Sequence, residues 1–305
     1  AKSQQWYIDR VAELEQHLTY SVFKYDAHRH VCSTYTGYLS QVLELFPNNT
    51  LEDVRTYKER FLNLVPTDKC FPMRDYQQEC VEKLMQAKHG AISIATSMGK
   101  SRIIGELIYR HGVRTVVVVP SKAIAYQLCD DINDWFKYDS SSPFVKKNVC
   151  AVFADRITKK NLHNYAIIVA TAQSLNAIKP ESENEAYFKT MDMIIADESH
   201  TLPAVTFEKV CQELLSNCSY RYFVSGTQTR TDGTEHILNG IIGPIVKEIS
   251  ATEGIRLGWL PKPKFHIYPV ESKYIAQKKD SIDTLTRYGM LLDENVLKKA
   301  AEIIN

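Results

Sequence analysis

The chain has no excess of charge of either sign. Its 305 residues carry 37 Lys and Arg against 36 Asp and Glu, a formal net charge of +1. A protein that coats nucleic acid through global basicity is thereby excluded, and any contact with DNA or RNA has to come from a local groove. No apolar run approaches the roughly 18 residues of a membrane span, and the start Ala1-Lys2-Ser3-Gln4-Gln5 has no secretory pattern. No membrane partner is therefore expected, and a cytoplasmic location is. The seven cysteines include no Cys-x-x-Cys pair, and the closest two, Cys211 and Cys218, have no His or Cys at zinc-ligand spacing. They read as reduced thiols, not as a disulfide framework or a metal site. No internal repeat is present either. What remains, 44% hydrophobic and 24% charged residues, is the composition of a globular chain with room for one large core and a small accessory unit.

Against that plain background one stretch stands out. The apolar run Ala91-Ile92-Ser93-Ile94 leads into Ala95-Thr96-Ser97-Met98-Gly99-Lys100-Ser101, and a helix-like segment follows from Arg102 to His111. A strand that enters a tight turn before a helix is the layout of a phosphate-binding loop. Backbone N–H groups of Thr96, Ser97, Met98, Gly99, Lys100 and Ser101 would ring the anion, Lys100 would reach the outer phosphates, and the Ser101 hydroxyl would sit on Mg²⁺. The bland alternative is a surface turn before a helix. About a hundred residues on, a second apolar strand, Met193-Ile194-Ile195-Ala196, ends in Asp197-Glu198-Ser199-His200. Adjacent carboxylates at a strand end suit metal-assisted phosphoryl transfer: Asp197 would hold Mg²⁺ through water and Glu198 would orient and deprotonate the attacking water. Alone, the pair could be a helix cap. Together with the loop it points to a nucleoside triphosphate held with Mg²⁺ as the ligand.

The order of the remaining segments resembles the first motor domain of a superfamily 2 helicase. Arg74-Asp75-Tyr76-Gln77 precedes the loop and Val119-Pro120-Ser121-Lys122 follows it. Ala170-Thr171-Ala172-Gln173-Ser174 comes before the acidic pair, and Ser225-Gly226-Thr227 after it. The resemblance implies that Arg74 and Gln77 read adenine, and that Pro120, Ser121, Lys122, Thr171 and Gln173 touch the nucleic-acid backbone. It also implies that Ser225, Gly226 and Thr227 couple hydrolysis to movement. His200, otherwise a packed or capping histidine, would link the nucleotide site to Ser225 and Thr227. Lys122 could equally be a solvated lysine, and Gln77 a polar residue opening a helix. The sequence is similar to phage branch-migration helicases of the UvsW kind and to the XPB-like group over residues about 71 to 263. It departs from them in lacking a loop Pro, in Ser199 before His200, and in Gln228 where many relatives carry Pro.

The expected fold is α/β, a RecA-like parallel sheet covered by helices, with a small, mainly helical N-terminal accessory domain. Strands are expected at Ala91–Ile94, Thr115–Val119, Val149–Phe153, Ala166–Ala170, Met193–Ala196 and Tyr220–Ser225, since short continuous apolar runs mark strands buried on both faces. Ala123 to Phe136 carries Ile124, Leu128, Ile132 and Trp135 at helical spacing, a core-facing stripe. Segments 139 to 143 and 180 to 186 read as loops. Residues 1 to 70 are expected to form the accessory domain, with helices at Trp6 to Leu18 and from Thr50, whose apolar stripe would be Val54, Tyr57, Phe61 and Leu62. The Tyr- and His-rich start could stack bases, but small domains also use Tyr to build a core. Residues 71–263 form the expected motor domain. After Pro261 and Pro263 a linker and the start of a truncated second motor domain are expected over 264–305, with a strand-like run from Phe265 to Val270. The implied activity is that of a nucleic-acid-dependent ATPase, a helicase or translocase acting on DNA in preference to RNA. The alternatives are the motor subunit of a restriction or defence complex, and a nucleotide-gated module that grips nucleic acid without unwinding it.

Overall fold

A computed structural model describes residues 23–26, 28, 31–45, 47, 48, 50, 52, 56–140, 148–153, 162–198, 204–226, 235–264, 270 and 293–304. The chain divides into two compact units, Ala1–Leu260 and Pro261–Asn305. The described part of the second unit contains the helix Glu294–Ile304.

The first unit is organised on a seven-stranded sheet in the order β11-β4-β10-β9-β5-β8-β7. Its strands are β4 (His89–Ile94), β5 (Thr115–Val119), β7 (Cys150–Phe153), β8 (Ile167–Thr171), β9 (Met193–Asp197), β10 (Tyr220–Ser225) and β11 (Ile245–Ile249), and every pairing is parallel. Helices on both faces explain why the strands are apolar throughout. In β5, Val117 and Val119 join the core on one face while Val116 and Val118 join the core on the other. Successive side chains of a strand point to opposite faces, so a strand covered twice needs apolar residues at every position. One face is covered by α2 (Asp75–Ala87), α3 (Lys100–His111) and α4 (Lys122–Trp135). The other is covered by α5 (Ala172–Asn176), α6 (Glu183–Phe188), α7 (Ala204–Lys209) and α8 (Glu235–Ile242). The short helix α9 (Ala251–Arg256) follows the edge strand β11. The stripe expected on α4 is present: Leu128, Ile132 and Trp135 are buried and Ile124 packs against the same core.

Before the sheet lie a hairpin of β1 (Phe23–Asp26) and β2 (Val31–Thr34), a 3-10 turn at Thr36–Tyr38 and the helix α1 (Leu39–Leu45). This segment meets the helical layer at a close approach: a Cβ on Gly37 would lie 2.0 Å from the Asn239 carbonyl oxygen, and a Cβ on Gly240 would lie 2.7 Å from the Tyr35 ring. Tyr35 Oη also donates to Glu208.

The parallel α/β architecture agrees with expectation, and the six expected strands form within one or two residues of the anticipated limits. Two local readings are corrected, and one strand was not anticipated. The helix expected from Thr50 is not formed over residues 56–63. There Phe61 N and Leu62 N both donate to Gly112 O, at 3.0 and 2.8 Å, and the chain continues into β3 (Leu64–Pro66), which pairs antiparallel with β6 (Phe136–Tyr138). Leu62 still reaches the core, but from irregular chain held at the base of α3. The supposed loop 180–186 contains the start of α6, because Ser182 Oγ accepts from Glu185 N and caps a helix whose Tyr187 and Phe188 are buried. Edge strand β11 was not anticipated, since most of its residues are partly or fully exposed and give no continuous buried run. The helix expected at Trp6 to Leu18 and nearly all of the strand-like run after Phe265 lie outside the described residues.

Candidate active site

The strand order brings three strand ends together. β10 lies between β4 and β9, so the residues following Ile94, Ser225 and Asp197 share one stretch of the carboxyl edge of the sheet. That is where open parallel sheets place ligands.

After Ile94 the chain turns sharply, with Ser97 at φ 65° and Gly99 at φ 72°. Glycine at the second position is required twice over: the left-handed conformation disfavours a side chain, and a Cβ there would lie 2.5 Å from Gln77 Nε2. Helix α3 starts at Lys100, so the first N–H groups of a twelve-residue helix open onto the loop. Met98 is fully buried beneath it. The carbonyls of the loop are held by α2: Tyr76 Oη donates to Met98 O at 2.8 Å, and Gln77 Nε2 donates to Met98 O at 3.1 Å and Gly99 O at 3.3 Å. Gln77 Oε1 accepts from Arg74 N at 2.9 Å, and Arg74 Nη1 donates to Tyr76 Oη at 3.1 Å. In this structure the Gln77 amide is therefore engaged by the loop and by its own helix start. Two residues past Lys100, the buried Arg102 ties α3 to the chain before α2, donating to Phe71 O at 3.1 Å and pairing with Glu106 at 3.0 Å.

The acidic pair faces this loop from β9. Glu198 adopts φ 49°, its N–H donates to Val224 O at 2.9 Å, and its carboxylate pairs with Lys100 Nζ. The same carboxylate accepts from Ser225 Oγ and from Gly226 N, both at 3.3 Å. A Cβ on Gly226 would lie 3.4 Å from Lys100 Nζ, so the segment after β10 packs closely on the loop lysine. Asp197 is 9% exposed, and its Oδ1 is buried with no hydrogen-bond partner among the described residues. Burial, with the neighbouring Glu198 charge adding to it, pushes its carboxyl up to about 6. A buried carboxylate oxygen without a donor is suited to a divalent cation or its water, and the Ser101 hydroxyl is a second hard oxygen at the start of α3. The residues present thus fit Mg²⁺. His200 and Thr227 lie outside the described residues.

The segments expected to touch nucleic acid also converge. Pro120, Ser121, Lys122, Thr171 and Gln173, with Ser174 and Ala177, line one open pocket of about 360 Å³ past the ends of β5 and β8. Ser121 and Thr171 are helix caps: Ser121 Oγ accepts from Ile124 N at 3.4 Å, and Thr171 Oγ1 accepts from Ser174 N at 3.2 Å. Lys122 and Gln173 are exposed. Tyr76, which had no separate role in the sequence reading, proves to be a direct support of the loop between β4 and α3. Its signal was position alone, one residue before Gln77.

The parallel sheet, the sharp loop after β4 and the Asp-Glu pair that faces it are arranged as in the RecA-like first motor domain of superfamily 2 helicases. Residues 70–229, just over half of the chain, match the family described as "Type III restriction enzyme, res subunit", and the chain belongs to that family. Among curated proteins it is similar to the DNA 3'-5' translocase XPB2 of Sulfurisphaera tokodaii, 26% identical over 187 residues, covering 59% of this chain and 36% of that protein. It is also similar to a protein of African swine fever virus (strain Badajoz 1971 Vero-adapted) named as a candidate ATP-dependent RNA helicase. That match is 26% identical over 257 residues, covering 82% of this chain and 47% of the relative. The chain thus spans between about a third and a half of the length of these relatives. Among solved structures, the UvsW helicase from bacteriophage T4 superposes with a TM-score of 0.53 at 18% identity, over 73% of this chain and 80% of that one. The expected resemblance to UvsW-like and XPB-like proteins is borne out. Among the described residues, no helix is long and apolar enough to cross a membrane, and no group of three or more His, Cys, Asp or Glu side chains could hold a metal.

Asp197 yields a stability prediction. Burial pushes its carboxyl up to about 6 from an ordinary value of 3.8, so the folded chain binds this proton more tightly than the unfolded chain does. Ionised Asp197 therefore costs stability in full above about pH 6, and the cost disappears as pH falls from there towards the unfolded value. Asp197→Asn in chelator-treated protein should raise the unfolding free energy by about 2–3 kcal/mol at pH 7. The gain should be absent near pH 4. Denaturant unfolding at both pH values measures it, and an equal gain at the two would show that the carboxyl is not strained by burial.

Proposed function

We propose that the chain is the nucleotide-binding part of an ATP-driven superfamily 2 translocase or helicase that acts on DNA. The observation that carries this reading is the arrangement at the sheet edge: Lys100 paired with Glu198, beside an Asp197 oxygen that has no donor among the described residues. In this reading Lys100 leaves Glu198 for the outer phosphates of ATP, which frees the Glu198 carboxylate to accept a proton from the attacking water. Magnesium held by Asp197 and the Ser101 hydroxyl would neutralise charge on the phosphates. Ser225 Oγ and Gly226 N, which both donate to Glu198, would lose that partner as the carboxylate moves, which gives them a route to report the state of the site. Thr227 and His200 would extend that link. A second motor domain would close over the nucleotide and step against this one.

The exposed Lys122 and Gln173, in the pocket past β5 and β8, would follow the nucleic-acid backbone. DNA is favoured by the name of the Sulfurisphaera relative, while the viral relative's name points to RNA; stimulation of ATP hydrolysis by single-stranded DNA, forked DNA or RNA decides between them. A second reading, the motor subunit of a restriction complex, is favoured by the family description. In that case hydrolysis would be stimulated by duplex DNA without strand separation.

Glu198→Gln keeps size and hydrogen bonding but removes the base. Turnover should fall by about a hundredfold or more while ATP still binds. Steady-state hydrolysis with nucleic acid present measures this, and near-parental turnover would remove Glu198 from the chemistry. Lys122→Ala should weaken binding equally for all sequences and flatten the dependence of log affinity on log salt by about 0.7–0.9. Titrations at several salt concentrations test it; the parent's slope and affinity would make Lys122 a solvated surface lysine.

A further inference from the structure

Trp259 follows the edge strand and α9 and belongs to none of the helicase-like segments, yet it sits beneath the phosphate loop. Its indole packs on the Tyr76 ring with centroids 4.3 Å apart and planes inclined by 36°. It is held there by its own backbone, because Trp259 N and Leu260 N both donate to Gly254 O, at 2.8 and 3.0 Å. No space is left at that turn: a Cβ on Gly254 would lie 3.0 Å from Leu260 Cδ1 and 3.3 Å from Met98 Sδ. Trp259 thus packs on Tyr76, and the turn that carries it passes close to Met98.

We propose that Trp259 is a positioning residue for phosphate binding, acting through Tyr76. Tyr76 Oη has one proton, and it is given to Met98 O. The peptide from Met98 to Gly99 is planar and trans, so anchoring its carbonyl towards α2 turns the Gly99 N–H to the opposite side, away from α2. The Gln77 contact to Gly99 O does the same for the N–H of Lys100. An indole wedged against Tyr76 keeps the phenol aligned with Met98 O, and the loop keeps its N–H groups directed outward before any anion arrives. Pre-orientation of this kind lowers the cost of binding without adding a contact to the ligand.

The proposal rests on the reading of residues 95–101 as a phosphate site, and the test separates the two. Calorimetry with Mg-ATP, and with tripolyphosphate as a competitor that has no base, is run on the parent, Trp259→Ala, Trp259→Phe, Tyr76→Phe and Lys100→Ala. The strut predicts that Trp259→Ala raises the dissociation constant for both ligands by about fivefold, the scale of one neutral hydrogen bond. Trp259→Phe, which restores an aromatic face, should recover most of the loss. Tyr76→Phe keeps the ring stack but removes the hydroxyl, and should match Trp259→Ala; it also serves if the alanine variant fails to fold. Parental affinity in Trp259→Ala and Tyr76→Phe, with affinity lost in Lys100→Ala, would overturn the strut alone. Parental affinity in Lys100→Ala as well would overturn the phosphate-site reading on which it rests.

Discussion

The ion pair between Lys100 and Glu198 is the contact on which the site depends. It joins the residue that opens α3 to the residue that follows β9, and the two side chains are only 12% and 20% exposed. Charges this sheltered are tolerated when paired and further hydrogen-bonded, and removing either partner strands the other. Glu198 meets that condition through Ser225 and Gly226, so one carboxylate draws together three segments that are far apart in the chain. A contact of this kind holds the loop in place and is also the contact that an incoming triphosphate would break by competing for the lysine.

The scaffold makes the pair possible. With β10 inserted between β4 and β9, the loop and the acidic pair are one strand apart, leaving space between them that the Ser225-Gly226 segment occupies. The loop is supported from behind by α2 through Tyr76 and Gln77, and α3 is fixed laterally by Arg102. Asp197 is the counterpart of this order, a buried carboxyl oxygen with no donor among the described residues. A buried group left unpaired beside well-supported neighbours is the pattern of a site arranged for a ligand.

The sheet was legible because its strands are buried on both faces and so appear as unbroken apolar runs bounded by polar turns. The phosphate loop and the acidic pair were legible because their chemistry needs particular residue types next to one another. What could not be read shares a different property. Strand β11 is an edge with several exposed positions, and the chain from Thr56 to Asn63 has helix-like spacing but is drawn into irregular structure by Gly112 O and by the β3–β6 pairing. Both are decided by distant partners, which local periodicity does not encode. The engagement of Gln77 with the loop was equally hidden: the sequence showed an amide suited to adenine, while in the fold its donor reaches Met98 O and Gly99 O and its acceptor is bonded by Arg74 N.

Mg-ATP binding places a direct demand on Lys100, since the account has its ammonium exchange Glu198 for phosphate. Titration calorimetry of Mg-ATP into the parent and into Lys100→Ala, with circular dichroism to confirm that both are folded, measures that exchange. The account predicts saturable binding by the parent and a loss of at least tenfold in the variant, a difference of about 1.4 kcal/mol or more. Equal affinity in a folded Lys100→Ala protein would contradict it and place the nucleotide elsewhere.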